Sequence, residues 1–286
     1  MLPTFIVAGA AKSGTTTVWQ HLKAHPQVCM ASIKETNFFT REIPAARYDL
    51  GLEWYQELFK TCGAAKAIGE VSPAYMARQD TPGLIRQTLP DILLIFIFRD
   101  PVERLYSQYW YQRQQGAKLP DFDLLVSERR AQLERYLYNS SYNLHLERYL
   151  RCFSREQILV LLNDDLRSDA AVFMKGVYQA IGVDPDFAPA NLEDRYNQTG
   201  RARIPWVQRR IKAIGPRLMR RDLPGWLFGF LKRSRSIFWR LNTVGDAYPP
   251  LAPVIRQTLL PEFSETIDYL EGWLERSLDN WRRVQS

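Results

Sequence analysis

Gly9-Ala10-Ala11-Lys12-Ser13-Gly14-Thr15-Thr16-Thr17 is the stretch whose reading decides the fold. Before it, Thr4 to Ala8 reads as a short buried strand; after it, Thr16 to Ala24 has the composition of a helix ending before His25-Pro26. Strand, small-residue turn and helix in that order form an anion cradle. The small residues let backbone approach a ligand, and the helix start offers unpaired N–H groups at the positive end of its dipole. Lys12 adds a full charge, and Ser13, Thr15, Thr16 and Thr17 add hydroxyl donors for phosphate or sulfate oxygens. A nucleoside triphosphatase loop instead places Lys directly after its final Gly, within reach of the β- and γ-phosphates. Here that position is Thr15, so the triphosphate–Mg²⁺ geometry is not offered. The bland alternative is a turn that merely joins strand to helix.

Outward from the loop, Lys66 to Gly69 and Ile92 to Phe98 are further apolar strands, separated by helical patterns around Leu52 to Phe59 and Pro82 to Leu89. A helix follows Pro101, another runs from Tyr142 to about Arg151, and Gln157 to Leu162 returns as a core strand. From about Ala170 the chain reads as mainly helical, ending in an amphipathic stretch from Pro261 to Trp281. This alternation implies an α/β fold, a central parallel sheet with helices on both faces. Without a repeat or a long linker, residues 1–286 read as one domain: a donor-binding core over about 1–200 and a helical, basic part over about 201–286.

The composition is that of a globular protein with a net charge of +7. The longest apolar run, Ile92 to Phe98, falls far short of the ~20 residues that span a bilayer, and no charged-then-apolar leader precedes the loop. These features predict a soluble protein. Cys29, Cys62 and Cys152 are odd in number and lack CxxC spacing, which suggests neither a disulfide framework nor a zinc site and favours a reducing, cytoplasmic setting. Positive charge concentrates in Arg201 to Arg240, with twelve Lys or Arg against the single acid Asp222. Such a segment suits a polyanionic partner or forms a solvated helical face. Within it, Pro224 to Asn242 interleaves Trp226, Phe228, Phe230, Phe238 and Trp239 with Lys232, Arg233, Arg235 and Arg240. That pattern packs on the core, lies peripherally on a membrane, or clamps an acidic or lipid-linked acceptor. No nucleic-acid-binding motif accompanies it, and no nucleic acid partner is expected.

Several ordered motifs carry a resemblance: Lys12-Ser13-Gly14-Thr15-Thr16, Lys34-Glu35-Thr36-Asn37-Phe38-Phe39, Gly69-Glu70-Val71-Ser72-Pro73-Ala74-Tyr75, Phe98-Arg99-Asp100-Pro101-Val102-Glu103-Arg104-Leu105-Tyr106-Ser107, and Asn197-Gln198-Thr199-Gly200-Arg201. Over about its first 200 residues the chain resembles the sulfotransferases that use 3′-phosphoadenosine-5′-phosphosulfate (PAPS), in particular their heparan-type and bacterial branch. The resemblance implies a P-loop-like, nucleoside-kinase-like sulfotransferase fold, with PAPS as donor, 3′,5′-adenosine bisphosphate (PAP) as product and no metal. It implies that Lys12, Ser13, Gly14, Thr15, Thr16 and Thr17 bind the 5′-phosphosulfate, that Arg99 and Ser107 hold the 3′-phosphate, and that Gly200 and Arg201 close over the donor, with Arg203 a weaker candidate. Arg99 at a strand end and Ser107 about two helical turns on can face one crevice at the carboxyl edge of the sheet. A strand-end salt bridge is the alternative for Arg99.

In the heparan-type branch the base is a Glu separated by two residues from a Phe-Phe pair, which is Glu35 here. An aromatic wall is expected to raise its carboxyl pKa. Otherwise Glu35 is a surface residue paired with Lys34. Lys12 is the natural partner of the leaving oxygen. Another branch uses a histidine, which makes His145 in Tyr142-Asn143-Leu144-His145-Leu146 the alternative base or a substrate-orienting residue. Some heparan-type relatives carry Lys where Val71 stands, so the full catalytic constellation and an acidic-glycan preference do not carry over. The acceptor is a hydroxyl of a glycan, lipid or small molecule. Asp100, after the apolar strand, imitates the Mg²⁺-binding acid of an ATP-dependent kinase, the competing enzyme class, and a non-catalytic nucleotide- or membrane-surface binding module is the third reading.

Overall fold

A computed structural model describes residues 1–188, 201–202, 243–244 and 248–284. Its centre is β1 (Phe5–Gly9), flanked by β3 (Ala67–Val71) and β4 (Leu93–Phe98), with β2 (Val28–Met30) and β5 (Ile158–Leu162) outside them. The strand order is β2-β3-β1-β4-β5, all parallel. From β1 the chain builds one side of the sheet and then crosses to the other. The reversal falls between β1 and β4, and the carboxyl ends of the strands at such a point are where an α/β sheet characteristically binds its ligand.

The period-two alternation of the strands sorts the core into two layers. Ile6, Ala8, Leu94, Phe96 and Phe98 enter one cluster, and Phe5, Val7, Ile95 and Ile97 enter the other. The second layer is covered by α1 (Thr15–Ala24) through Val18 and Leu22 and by α9 (Ala170–Ala180) through Phe173, Met174 and Val177. The first takes α2 (Gly51–Glu57), α3 (Thr81–Thr88), α4 (Pro101–Gln114), α5 (Phe122–Ser127), α6 (Ala131–Tyr138) and α7 (Tyr142–Leu150). α8 (Asn163–Ser168) follows β5 directly.

Most expected elements are present with shifted ends, but β2, α5, α6 and α8 were not foreseen. They are short, three to eight residues, and too brief to establish a period. The stretch from Pro261 to Trp281 is not one helix. α10 (Pro253–Leu259) leads through a tight turn into α11 (Ser264–Leu274), which stops where Glu275 turns left-handed at φ 51°, and α12 (Asp279–Arg282) starts afresh.

The cysteine reading is corrected. Cys29 and Cys62 form a disulfide with Cα atoms 5.4 Å apart. β2 carries Cys29, and the chain after α2 folds back beside it, with Ser32 N–H donating to the Leu58 carbonyl at 3.0 Å and Lys66 N–H to the Gln27 carbonyl at 3.0 Å. Thirty-three residues separate the pair, so only tertiary packing brings them together. The argument for a reducing, cytoplasmic setting thereby loses its premise. Among the described residues no helix is long and apolar enough to cross a membrane.

Candidate active site

The loop after β1 is held from three sides. Ala10 N–H donates to the Ile97 carbonyl of β4 at 2.9 Å, Asn163 Nδ2 of α8 donates to the Ser13 carbonyl at 3.1 Å, and Arg104 Nη1 of α4 reaches the Ala11 carbonyl at 3.5 Å. Gly14 opens α1 at φ 88°, where a side chain is strained, and a Cβ there would stand 2.7 Å from Asn163 Nδ2. Ser13 Oγ is buried and has no hydrogen-bond partner. Thr15 is buried at the start of α1, beside Thr16 and Thr17.

Four cations converge here. Lys12 has its pKa lowered to about 8, first by burial and then by the charges of Arg99, Lys34 and Arg104. Arg104 is itself buried, and its hydrogen bonds go to neutral groups: Ser140 Oγ at 2.7 Å, the Tyr136 carbonyl at 3.1 Å and Ala11. Mutual repulsion of this kind is relieved by a multiply charged anion. Arg99, at the end of β4, pairs through Nη2 with Glu103 at 3.0 Å and approaches Tyr248 Oη at 3.5 Å, while its buried Nε has no partner. The strand-end salt bridge weighed as the alternative for Arg99 is therefore present, with the buried Nε left without a partner. Ser107 is buried on α4, two turns beyond Arg99.

Asp100 is committed elsewhere. Its Oδ1 caps α4, accepting from Val102 N–H at 2.9 Å and Glu103 N–H at 3.1 Å. Its Oδ2 accepts from Arg256 Nη2 of α10 at 2.5 Å, and Arg256 also holds the Trp281 carbonyl. An acid with both oxygens engaged by cap and guanidinium is a structural tie, not the metal-binding acid of a kinase.

Glu35 lies beside the loop. Lys34 Nζ donates both to Thr16 Oγ1 at 3.1 Å and to Glu35 Oε1 at 2.9 Å, so one ammonium spans the helix start and the carboxylate. Glu35 is 51% exposed, and Phe38 and Phe39 turn into the core against Tyr55. The expected aromatic wall around its carboxylate is therefore absent. Tyr111 lies beside Lys12, its ring centroid 4.4 Å from Lys12 Nζ, and burial, then the charge of Glu35, pushes its phenol up.

His145 is buried on α7, its Nε2 2.8 Å from the Tyr138 carbonyl, and its pKa is lowered to about 3 by burial and then by Arg148. The ring is neutral and packs edge-on against Tyr138. Gly200, Arg203 and the aromatic, basic segment 224–242 lie outside the described residues. Arg201 is described only as a backbone bridge to Val244. Arg104 and Tyr111 were missed by sequence reasoning, and Lys34 was read only as the surface partner of Glu35, without its bond to Thr16. Lys34 adjoins a residue that reading had singled out. Tyr111 lies four residues beyond Ser107, on the same face of α4, a spacing that could have flagged it.

A sequence model described as Sulfotransferase domain matches residues 2–199 of the chain. The chain is 32% identical over 190 residues to heparan sulfate glucosamine 3-O-sulfotransferase 3B1 of Homo sapiens, with 64% of this chain and 46% of that protein covered. It is 29% identical over 205 residues to bifunctional heparan sulfate N-deacetylase/N-sulfotransferase 4 of Mus musculus, with 65% of this chain and 23% of that protein covered. It thus spans less than half the length of these curated relatives. The crystal structure of a sulfotransferase from Alicyclobacillus acidocaldarius superposes with a TM-score of 0.71 at 21% identity, covering 99% of this chain and all of that one, which is evidence of a shared fold alone.

Proposed function

The chain belongs to the sulfotransferase family, and from that premise we propose that it transfers the sulfonate of PAPS to an acceptor hydroxyl with Glu35 as the base. The pairing with Lys34 alone would fit a surface acid; what supports the base reading is that the same ammonium also donates to Thr16 Oγ1 at 3.1 Å, which sets the Glu35 carboxylate beside the anion loop. In the proposed step the acceptor oxygen attacks sulfur, its proton passes to the Glu35 carboxylate, and the S–O bond to the 5′-phosphate breaks in line. Lys12 hydrogen-bonds the bridging oxygen as negative charge develops there, leaving PAP. Ser13, Gly14, Thr15, Thr16 and Thr17 cradle the 5′-phosphosulfate, and Arg99, with Nε to spare, takes the 3′-phosphate together with Ser107. Gly200 and Arg201 keep the donor-closing role that the family resemblance implies. Glu35 is preferred to His145 because its carboxylate is half exposed beside the loop, whereas the imidazole is fully enclosed on α7, with Nε2 bonded to the Tyr138 carbonyl and Nδ1 buried without a partner.

Calorimetric titration of the wild type and Arg99→Ala with PAP, 5′-AMP and Mg·ATP tests the donor assignment. A preference for PAP that disappears in Arg99→Ala is expected, and equal or tighter binding of Mg·ATP overturns it. Transfer from radiolabelled PAPS to a panel of sugars, lipids and simple alcohols then tests the base: Glu35→Gln is expected to abolish turnover while leaving PAP affinity unchanged.

A further inference from the structure

Glu70, next to last in β3, is a fully buried carboxylate, and its four partners are hydroxyls. Oε2 accepts from Thr36 Oγ1 at 2.5 Å and Ser72 Oγ at 2.7 Å, and Oε1 accepts from Tyr55 Oη at 2.6 Å and Tyr75 Oη at 3.3 Å. Two donors on each oxygen satisfy the group. Burial raises its pKa and these four bonds pull it back. A carboxylate in an apolar core without a cation has lost its hydration and is costly to bury unless such bonds form.

All four partners act on one short segment. Thr36 belongs to it. Ser72 Oγ also accepts from Asn37 N–H at 3.4 Å, Tyr75 Oη accepts from Phe39 N–H at 3.1 Å, and the Tyr55 ring stacks on Phe38 at 4.5 Å between centroids. From the other side Arg47 Nη1 donates to the Glu35 carbonyl at 3.0 Å and the Thr36 carbonyl at 2.6 Å, and Glu35 N–H donates to the Val71 carbonyl at 3.0 Å. The segment needs holding, because Glu35 at φ 60° and Asn37 at φ 49° are left-handed without being glycine. Such residues persist only where their surroundings over-determine them.

We infer that Glu70 is a positioning residue for the transfer reaction: through Thr36, Ser72, Tyr75 and Tyr55 its carboxylate holds residues 35–39 in the conformation that presents Glu35 to the donor loop. The inference rests on Glu35 acting as the base.

Glu70→Gln is the direct test, and Thr36→Val, with Thr36→Ser as the rescue, covers the case in which that variant fails to fold. Thr36→Val cuts the direct bond between Glu70 and the segment while leaving Glu70 three donors and the links through Ser72, Tyr75 and Tyr55 in place. One readout is hydrogen exchange by mass spectrometry over 35–40. The other is PAPS cleavage to PAP and sulfate with water as acceptor, set beside Glu35→Gln and the double variant Glu35→Gln/Thr36→Val. Thr36→Val is expected to speed exchange at Asn37 and Phe39 at least about tenfold while leaving β1 and β4 protected. It is expected to slow sulfate release about 10- to 100-fold at unchanged PAP affinity, to add nothing to Glu35→Gln, and to be restored by Thr36→Ser. Unchanged exchange over 35–40, sulfate release at the wild-type rate, or a loss that adds to that of Glu35→Gln overturns the inference. If Glu35→Gln itself leaves sulfate release unchanged, the base assignment falls and the catalytic role of Glu70 falls with it. Faster exchange in Thr36→Val would then leave Glu70 as an anchor of the segment only.

Discussion

Lys12 Nζ rests over the Tyr111 ring, 4.4 Å from its centroid, on a helix whose Arg104 also reaches the Ala11 carbonyl beside it. The aromatic face gives the ammonium a neutral partner among three other cations, and a bound anion replaces that weak contact with a charged one.

Affinity for PAP should therefore fall with rising pH. Lys12 titrates at about 8 in the free protein, so below that value it is charged and ready to bind, and above it the site loses a positive charge. Bound anion favours the charged form, so binding takes up a proton as the pH passes about 8. Calorimetry in two buffers of different ionisation enthalpy measures that uptake, and Lys12→Met is expected to abolish it.

Arg104→Met removes a buried cation and leaves Ser140 Oγ and the Tyr136 carbonyl without their donor. Urea unfolding is expected to show a loss of about 2–3 kcal/mol, the cost of stranded buried polar groups. The same variant lifts one repulsion from Lys12, so the pH at which PAP binding weakens is expected to move upward.

Gly14→Ala is expected to weaken PAP binding by more than about tenfold. The new Cβ enters a left-handed position at φ 88° and meets Asn163 Nδ2 at 2.7 Å and Leu166 Cδ2 at 2.8 Å. Relief of that clash displaces Asn163 from the Ser13 carbonyl. Titration with PAP, beside a melting curve, separates loss of the cradle from loss of the fold.

Replacement of Cys29 and Cys62 by Ser together is expected to cost about 3–4 kcal/mol, because the bond closes a loop of 33 residues in the unfolded chain. Urea unfolding of the wild type with and without dithiothreitol should reproduce that difference. Thiol counting on denatured, unreduced protein should find Cys152 alone.

The elements that carry the proposed donor residues were largely legible from sequence. Strand, cradle and helix occupy twenty consecutive residues from Phe5 to Ala24, and Arg99 and Ser107 are joined by one helix. Glu35 was found through its motif, and of the two surroundings weighed for it the aromatic wall is absent, because the aromatic pair packs inward, while the exposed pairing with Lys34 is the one present. Asp100 was ambiguous in sequence because its partner, Arg256, lies 156 residues away. The disulfide was invisible for the same reason.

By itself the sequence determined the alternating elements, the parallel sheet and the anion loop, because burial period, helix starts and small-residue turns are properties of neighbouring residues. Only the tertiary structure decided which groups share the crevice. Lys12, Lys34, Arg99 and Arg104 come from different elements, and Glu70 meets Thr36 across 34 residues. Charge repulsion and buried hydrogen bonding act over a few ångströms of space, so their pattern exists only once the strand ends lie side by side.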